Sequence, residues 1–245
     1  MKALNFQGLF LWSIFAKKVL STILHIETST KNCSVSIAKN GKILSLKEIN
    51  NGNYSHAEKL HPLILEAIQD APISLSDIDA IAVGKGPGSY TGLRIGVSAA
   101  KGLCFTNDIP LIAINSLEIL AHAHTFQEGV IVPMIDARRM EVYSAVFDKD
   151  LNMIRETQAE IIDENSFQEY LEKGNVYFIG DGAEKCKEFI QHSNANFIDG
   201  IYPSAKDMVL KAYEKYLSKE FEDVAYFEPY YLKDFVATPE KKSSK

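Results

Sequence analysis

Gly84-Lys85-Gly86-Pro87-Gly88-Ser89-Tyr90-Thr91-Gly92-Leu93-Arg94-Ile95-Gly96 runs from the end of an apolar strand into an apolar helix. Glycines at 84, 86, 88 and 92 supply positions for positive φ, Pro87 presets a turn angle, and the missing side chains let another group approach the backbone closely. Two phosphate-binding templates can be laid on it residue by residue. G-x-x-x-x-G-K-[ST] needs glycine five positions on, where Gly84, Gly86 and Gly88 meet Ser89, Thr91 and Leu93, and G-x-G-x-x-G fails at Ser89 or Thr91. What remains is a strand-to-helix turn, either purely structural or with helix N–H groups free to take an anion, Gly86 and Gly88 being the closest approach.

The helix, Ser89 to Thr106, carries Tyr90, Leu93, Val97 and Cys104 on one side and Ile95, Ala99 and Leu103 on another, so it has to be covered twice. Gly92 and Gly96, continued by Ala99 and Ala100, form a small-residue row that predicts close approach of a neighbouring helix. That neighbour is the helix Ser55 to Asp70. Its N-terminus reads as a Ser55/Glu58 capping box, its apolar face is Leu60, Leu63, Ile64, Ala67 and Ile68, and His56 and His61 read as solvent-facing or capping residues.

Upstream, the pattern predicts strands 22–27, 33–38 and 43–50, with Asn40-Gly41 as a hairpin turn. Thr28-Ser29-Thr30-Lys31 follows a strand ending in the acid Glu27. The second half echoes this, with an apolar strand over 131–136 ending in Asp136, a turn at Ala137-Arg138-Arg139, and an alternating strand over 140–147. Further strands are expected over 154–161 and 176–180, with Asp163 or Asn165 capping a helix that ends at Gly174, and Ser204 capping a helix to Ser218.

Ile26-Glu27-Thr28-Ser29-Thr30, the glycine stretch through Arg94, and Ile135-Asp136-Ala137-Arg138 with Glu141-Val142-Tyr143 together resemble the TsaB (YeaZ) family over about Thr22 to Val236. The resemblance implies an α/β chain of the actin-like ATPase (ASKHA) superfold, with two duplicated lobes of mixed five-stranded sheets and flanking helices. It divides the chain into an extension over 1–21, lobes over 22–115 and 116–236, and a polar tail over 237–245. It further implies a non-catalytic part in making threonylcarbamoyladenosine in tRNA, beside a TsaD-type catalytic subunit and a TsaE-type ATPase. Phosphate is then expected at Thr28, Ser29, Thr30 and Lys31, and adenosine at Gly180, Asp181 and Gly182. The interface is expected to be a four-helix bundle built with Leu60, Leu63, Ile64, Tyr90, Leu93, Arg94, Val97 and Lys101. Such a chain has no cofactor of its own beyond ATP or ADP shared with its partners, and can form a homodimer when alone.

Composition sets bounds on this. With 46% apolar and 24% charged residues the chain can bury a core, and a formal charge of −6 argues against nucleic-acid binding by this chain alone, so tRNA would be held mainly by a partner. Cys33, Cys104 and Cys186 are odd in number and form no C-x-x-C pair, which fits reduced cytosolic thiols and gives no zinc site. His122 and His124 are two apart and so on opposite sides of a helix, unlike the H-x-x-x-H pair of TsaD, which argues against a metallopeptidase. A stand-alone ATPase or phosphotransferase would have to use Glu27 and Asp136 as its acids. The apolar run 8–16 is nine residues long, about half a membrane span, and residues 1–20 are expected to stand outside the fold.

Overall fold

The computed structural model describes residues 20–52 and 55–233. The extension before Leu20 and the tail over 237–245 lie outside the described residues. The first sheet contains β1 (Thr22–Glu27), β2 (Cys33–Lys39), β3 (Lys42–Ile49), β4 (Ala80–Gly86) and β5 (Leu111–Asn115), in the order β3-β2-β1-β4-β5. The β1-β2-β3 meander is antiparallel, and β4 and β5 add to it in parallel. The turn between β2 and β3 has φ +54° at Asn40 and +74° at Gly41, a left-handed pair of the kind that matches strand twist in two-residue hairpins.

The second sheet, β6 (Val130–Asp136), β7 (Glu141–Asp148), β8 (Met153–Ile161), β9 (Val176–Ile179) and β10 (Ala195–Ile198), has the order β8-β7-β6-β9-β10. Its first three strands are again an antiparallel meander and its last two again parallel, so the two lobes share one topology, the duplicated pair of mixed five-stranded sheets that the resemblance implies. The short edge strand β10 was not foreseen.

Helices α1 (His56–Asp70) and α2 (Tyr90–Asn107) cover one face of the first sheet. Leu60, Leu63, Ile64, Val97 and Cys104 close the core there over Leu24, Ile26, Val35, Ile37, Ile81 and Val83. The alternate residues Ile23, Ala80, Ala82, Ile112 and Ile114 point to the other face, where Met208 and Ala212 at the start of α5 (Val209–Ser218) meet them. The second lobe has far less helix, with α3 (Ser116–Ala121) and only one turn, α4 (Gln168–Leu171). Asp163 serves a local turn, its Oδ1 accepting from Asn165 N at 2.9 Å, instead of capping a long helix.

Several expectations need correction. Leu60, Leu63, Ile64, Leu93 and Val97 are between 0 and 6% exposed, so the lobe's own core uses the residues expected at a subunit contact. The Gly92/Gly96 row does not chiefly face a helix. A Cβ on either glycine would collide with Thr28 in the turn after β1. Ser55 precedes α1 without a side-chain cap, and the first turn is closed by backbone bonds from Glu58 N and Lys59 N to Ser55 O. His56 is not solvent-facing; it is 2% exposed. Ser204 stands five residues before α5, where its hydroxyl accepts from Lys206 N at 3.3 Å at the head of the turns leading into the helix and donates to Glu48 Oε1 at 2.6 Å. Finally, the lobes are not contiguous in sequence. Helix α5 and the segment after it return to the first lobe, where Glu222 N donates to Leu111 O at 2.9 Å and Tyr230 N to Lys85 O at 2.8 Å.

Two glycines on α2 separate packing from propensity. Gly92→Ala places a methyl into the Thr28 carbonyl and is expected to cost about 1–3 kcal/mol, whereas Gly102→Ala, with nothing within 4 Å, should stabilise by up to about 1 kcal/mol. Urea unfolding of both variants measures this; equal effects would contradict the packing described.

Candidate functional site

The turn Glu27-Thr28-Ser29 lies on a surface made of glycine. A Cβ would meet Glu27 from Gly84, the Ser29 carbonyl from Gly88, the Thr28 carbonyl from Gly92 and Thr28 Oγ1 from Gly96. Direct bonds fix the register. Thr28 Oγ1 donates to Gly92 O at 2.8 Å, Ser89 N donates to Ser29 O at 2.7 Å, and the Ser89 hydroxyl caps α2 by accepting from Gly92 N at 3.3 Å. His56 Nε2 donates to Thr30 O at 2.7 Å, and burial lowers its pKa, which keeps the ring neutral. Thr28, Ser29 and Thr30 are all at most 1% exposed, so their hydroxyls face protein and not a cleft. Gly86 and Gly88 are committed in the same way, the former against Leu93 and the carbonyl of Tyr230.

Glu27 is fully buried beneath this turn. Its Oε1 accepts from Ser29 N at 2.6 Å while Oε2 has no hydrogen-bond partner, and burial pushes the carboxyl above its usual range. As a base or metal ligand it is inaccessible.

Asp136, the corresponding acid of the second lobe, is exposed but engaged. Its Oδ1 pairs with Lys185 and accepts from Arg138 N at 2.9 Å. Asp181 Oδ1 accepts from Asp136 N at 3.0 Å, and burial raises the Asp181 pKa against the opposing pull of Lys31 and Lys185. Lys31 of the first lobe thus acts electrostatically on Asp181 of the second. Gly180 and Gly182, by contrast, are explained by packing on the backbone of β6 at Met134 and Ile135.

The exposed side of α1 and α2 has a different character. A groove of about 740 Å³ runs between them, lined by Ala57, His61, Tyr90, Arg94, Ile95 and Leu103 among others. Arg94 lies 5.5 Å from the Tyr90 ring centroid, and Tyr90 in turn packs at 4.9 Å on Tyr231 of the returning C-terminal segment. Lys101 belongs to that segment's anchorage and donates to the carbonyls of Ala225 at 3.1 Å and Phe227 at 2.8 Å. Of the predicted interface residues, Tyr90 and Arg94 line the groove. Ser98 and Gly102, which also line it, and the 85% exposed Phe105 farther along the same helix were not singled out, although the second apolar flank of the helix ran beside them.

Among the described residues no group of three His, Cys, Asp or Glu side chains is placed to hold a metal. His122 Nδ1 donates to Glu118 O at 2.8 Å, and His124 lies against the Tyr177 ring. The three cysteines are buried, which pushes the Cys33 and Cys104 thiols up to about 12. No helix among the described residues is long and apolar enough to cross a membrane.

A family model described as "TsaD: tRNA N6-adenosine threonylcarbamoyltransferase" matches residues 51–241. The chain is 32% identical over 226 residues to the tRNA threonylcarbamoyladenosine biosynthesis protein TsaB of Escherichia coli (strain K12), covering 88% of this chain and 96% of that one. The TsaB protein of Haemophilus influenzae is likewise 32% identical over 226 residues, covering 88% and 94%. A crystal structure of a Pseudomonas aeruginosa protein with similarity to peptidase YEAZ superposes with a TM-score of 0.77 at 28% identity, covering 87% of this chain and 100% of that one.

The buried carboxyl gives stability a pH dependence. Because the folded pKa of Glu27 is raised, its contribution is fully present below the unfolded value of 4.5 and is lost as pH rises through the folded one. Glu27→Gln, which cannot ionise, should therefore raise Tm relative to the parent at pH 8, with the gap shrinking toward pH 4. Melting curves across that range check it; a gap independent of pH would contradict the assignment.

Proposed function

Because the chain belongs to the TsaB family, we propose that it is the non-catalytic subunit of a tRNA threonylcarbamoyladenosine transferase. In this role it docks on and scaffolds a TsaD-type catalytic subunit. With a TsaE-type ATPase it supports threonylcarbamoyl transfer to the adenosine beside the anticodon of tRNAs reading ANN codons. The observation that carries this reading is the α1/α2 groove, where Ile95, Leu103 and Ala57 line an open, largely apolar surface whose helices are already anchored by their opposite faces. A partner helix pair fits such a groove, and in the absence of the catalytic subunit a second copy of this chain can use the same surface.

The stand-alone ATPase reading is less well supported, because Thr28, Ser29 and Thr30 are packed under α2 and Glu27 beneath them. ATP or ADP handled by the assembly is then held with the partner subunits.

The contact can be tested without disturbing the fold. Ser98→Glu and Gly102→Glu put a charge on the outer side of α2, and each is expected to weaken association with the catalytic subunit by about 2 kcal/mol or more, roughly thirtyfold in Kd, while leaving Tm near the parent's. Leu93→Glu should instead unfold the lobe, because it buries an unpaired charge in the core. Folded variants at 98 and 102 that bind as tightly as the parent would exclude this face.

A further inference from the structure

The hairpin turn between β6 and β7 holds two consecutive non-glycine residues in the left-handed region, Arg138 at φ +69° and Arg139 at φ +53°. L-residues visit this region singly and at a cost, so two in a row have to be held there by their surroundings. The holding groups can be named. Arg138 N donates to Asp136 Oδ1 at 2.9 Å, Ala137 N to Glu141 O at 3.1 Å, and Glu141 N to Arg138 O at 3.2 Å. Lys185 then staples the turn from the far side, pairing with Asp136 and donating to the carbonyls of Arg139 at 2.8 Å and Glu141 at 2.7 Å.

The same bonds leave an unbalanced charge on the surface. Both acids flanking the turn are neutralised, Asp136 by Lys185 and Glu141 by Lys233. Arg138 and Arg139 are exposed, and among the described residues neither guanidinium has an ion pair. Lys31, also exposed, acts electrostatically on Asp181, whose Oδ1 accepts from Asp136 N. On a chain with a formal charge of −6, a rigid turn presenting two unpaired guanidiniums is a local exception.

We infer that Arg138 and Arg139 form a preorganised contact for the phosphodiester backbone of RNA, with Lys185 holding the turn in position. Guanidinium forks match phosphate oxygens, and a turn fixed beforehand loses little entropy on binding. Neither arginine lines the α1/α2 groove or the smaller cavity beside Lys85 and Tyr230, and both residues are exposed, which suits a backbone running over the turn and not an enclosed nucleotide. The assignment rests on the tRNA-directed function proposed above and adds to it a direct part for this chain in holding the substrate.

The test uses the full chain assembled with its catalytic subunit, with assembly measured separately from tRNA binding. Arg138→Gln/Arg139→Gln is expected to assemble normally, to weaken tRNA binding about tenfold at 0.1 M salt, and to reduce the slope of log K against log[salt] by about two. Arg138→Lys/Arg139→Lys should keep most of the slope. Unchanged tRNA affinity and slope in the Gln/Gln variant would overturn the inference. So would a loss confined to assembly, which would identify an acidic protein as the occupant. If the parent itself does not assemble, the proposed function fails, and the same pair of variants compared for tRNA binding by the chain alone at low salt still confirms or overturns the arginine contact.

Discussion

Everything in the first lobe depends on one close approach, the turn Glu27-Thr28-Ser29 lying on Gly84, Gly88, Gly92 and Gly96. These glycines recur every fourth residue from the end of β4 into α2, so one row without side chains runs along strand, turn and helix. Any Cβ in that row meets a backbone or buried side-chain atom of the turn. The contact fixes how far α2 sits along the sheet, and the Thr28–Gly92 and Ser89–Ser29 bonds then set its register. It also decides the chemistry. The family resemblance places phosphate at the turn after the first strand, and here α2 fills that place from above while the buried Glu27, its carboxyl pushed above the usual range by burial, lies below it.

With its inner side spent on the turn and the core, α2 has only its outer flank left. The two lobes share a sheet topology but differ in cover, since the second lobe has only the short helices α3 and α4 where the first has two long helices. The C-terminal part of the chain compensates by returning to the first lobe through α5, Lys101 and the Tyr90–Tyr231 contact, before Lys233 reaches Glu141 of the second. This strap borders the α1/α2 groove, so a partner seated in the groove would touch an element that joins both lobes.

Much of this was legible in the sequence, and the failures share a cause. Strand alternation, the Asn40-Gly41 hairpin and the limits of α1 and α2 were readable because periodicity and turn residues report local structure. The echo of the first lobe in Ile131–Asp136 announced the duplication. What was not legible was phase. A helix apolar nearly all round does not say which flank meets the sheet, so Leu93 and Val97 could be placed outside when they are core. The glycine row was correctly read as a close approach, but spacing cannot tell a helix from a strand-end turn as the neighbour. His56 looked like a surface residue because its acceptor, Thr30 O, is 26 residues away. β10 and the shortened α4 depend on pairing and packing in the second lobe and carry little local signal of their own.

The turn in which the family resemblance places phosphate is structurally filled, and the function proposed for this chain lies in assembly. The most direct measurement is steady-state phosphate release from ATP by the purified chain alone, by the catalytic and ATPase partners without it, and by all three together. The chain alone should show no turnover, and the assembly should show turnover that depends on the presence of this chain. Release on the order of 1 s⁻¹ by the isolated chain, an ordinary enzymatic rate, would contradict it.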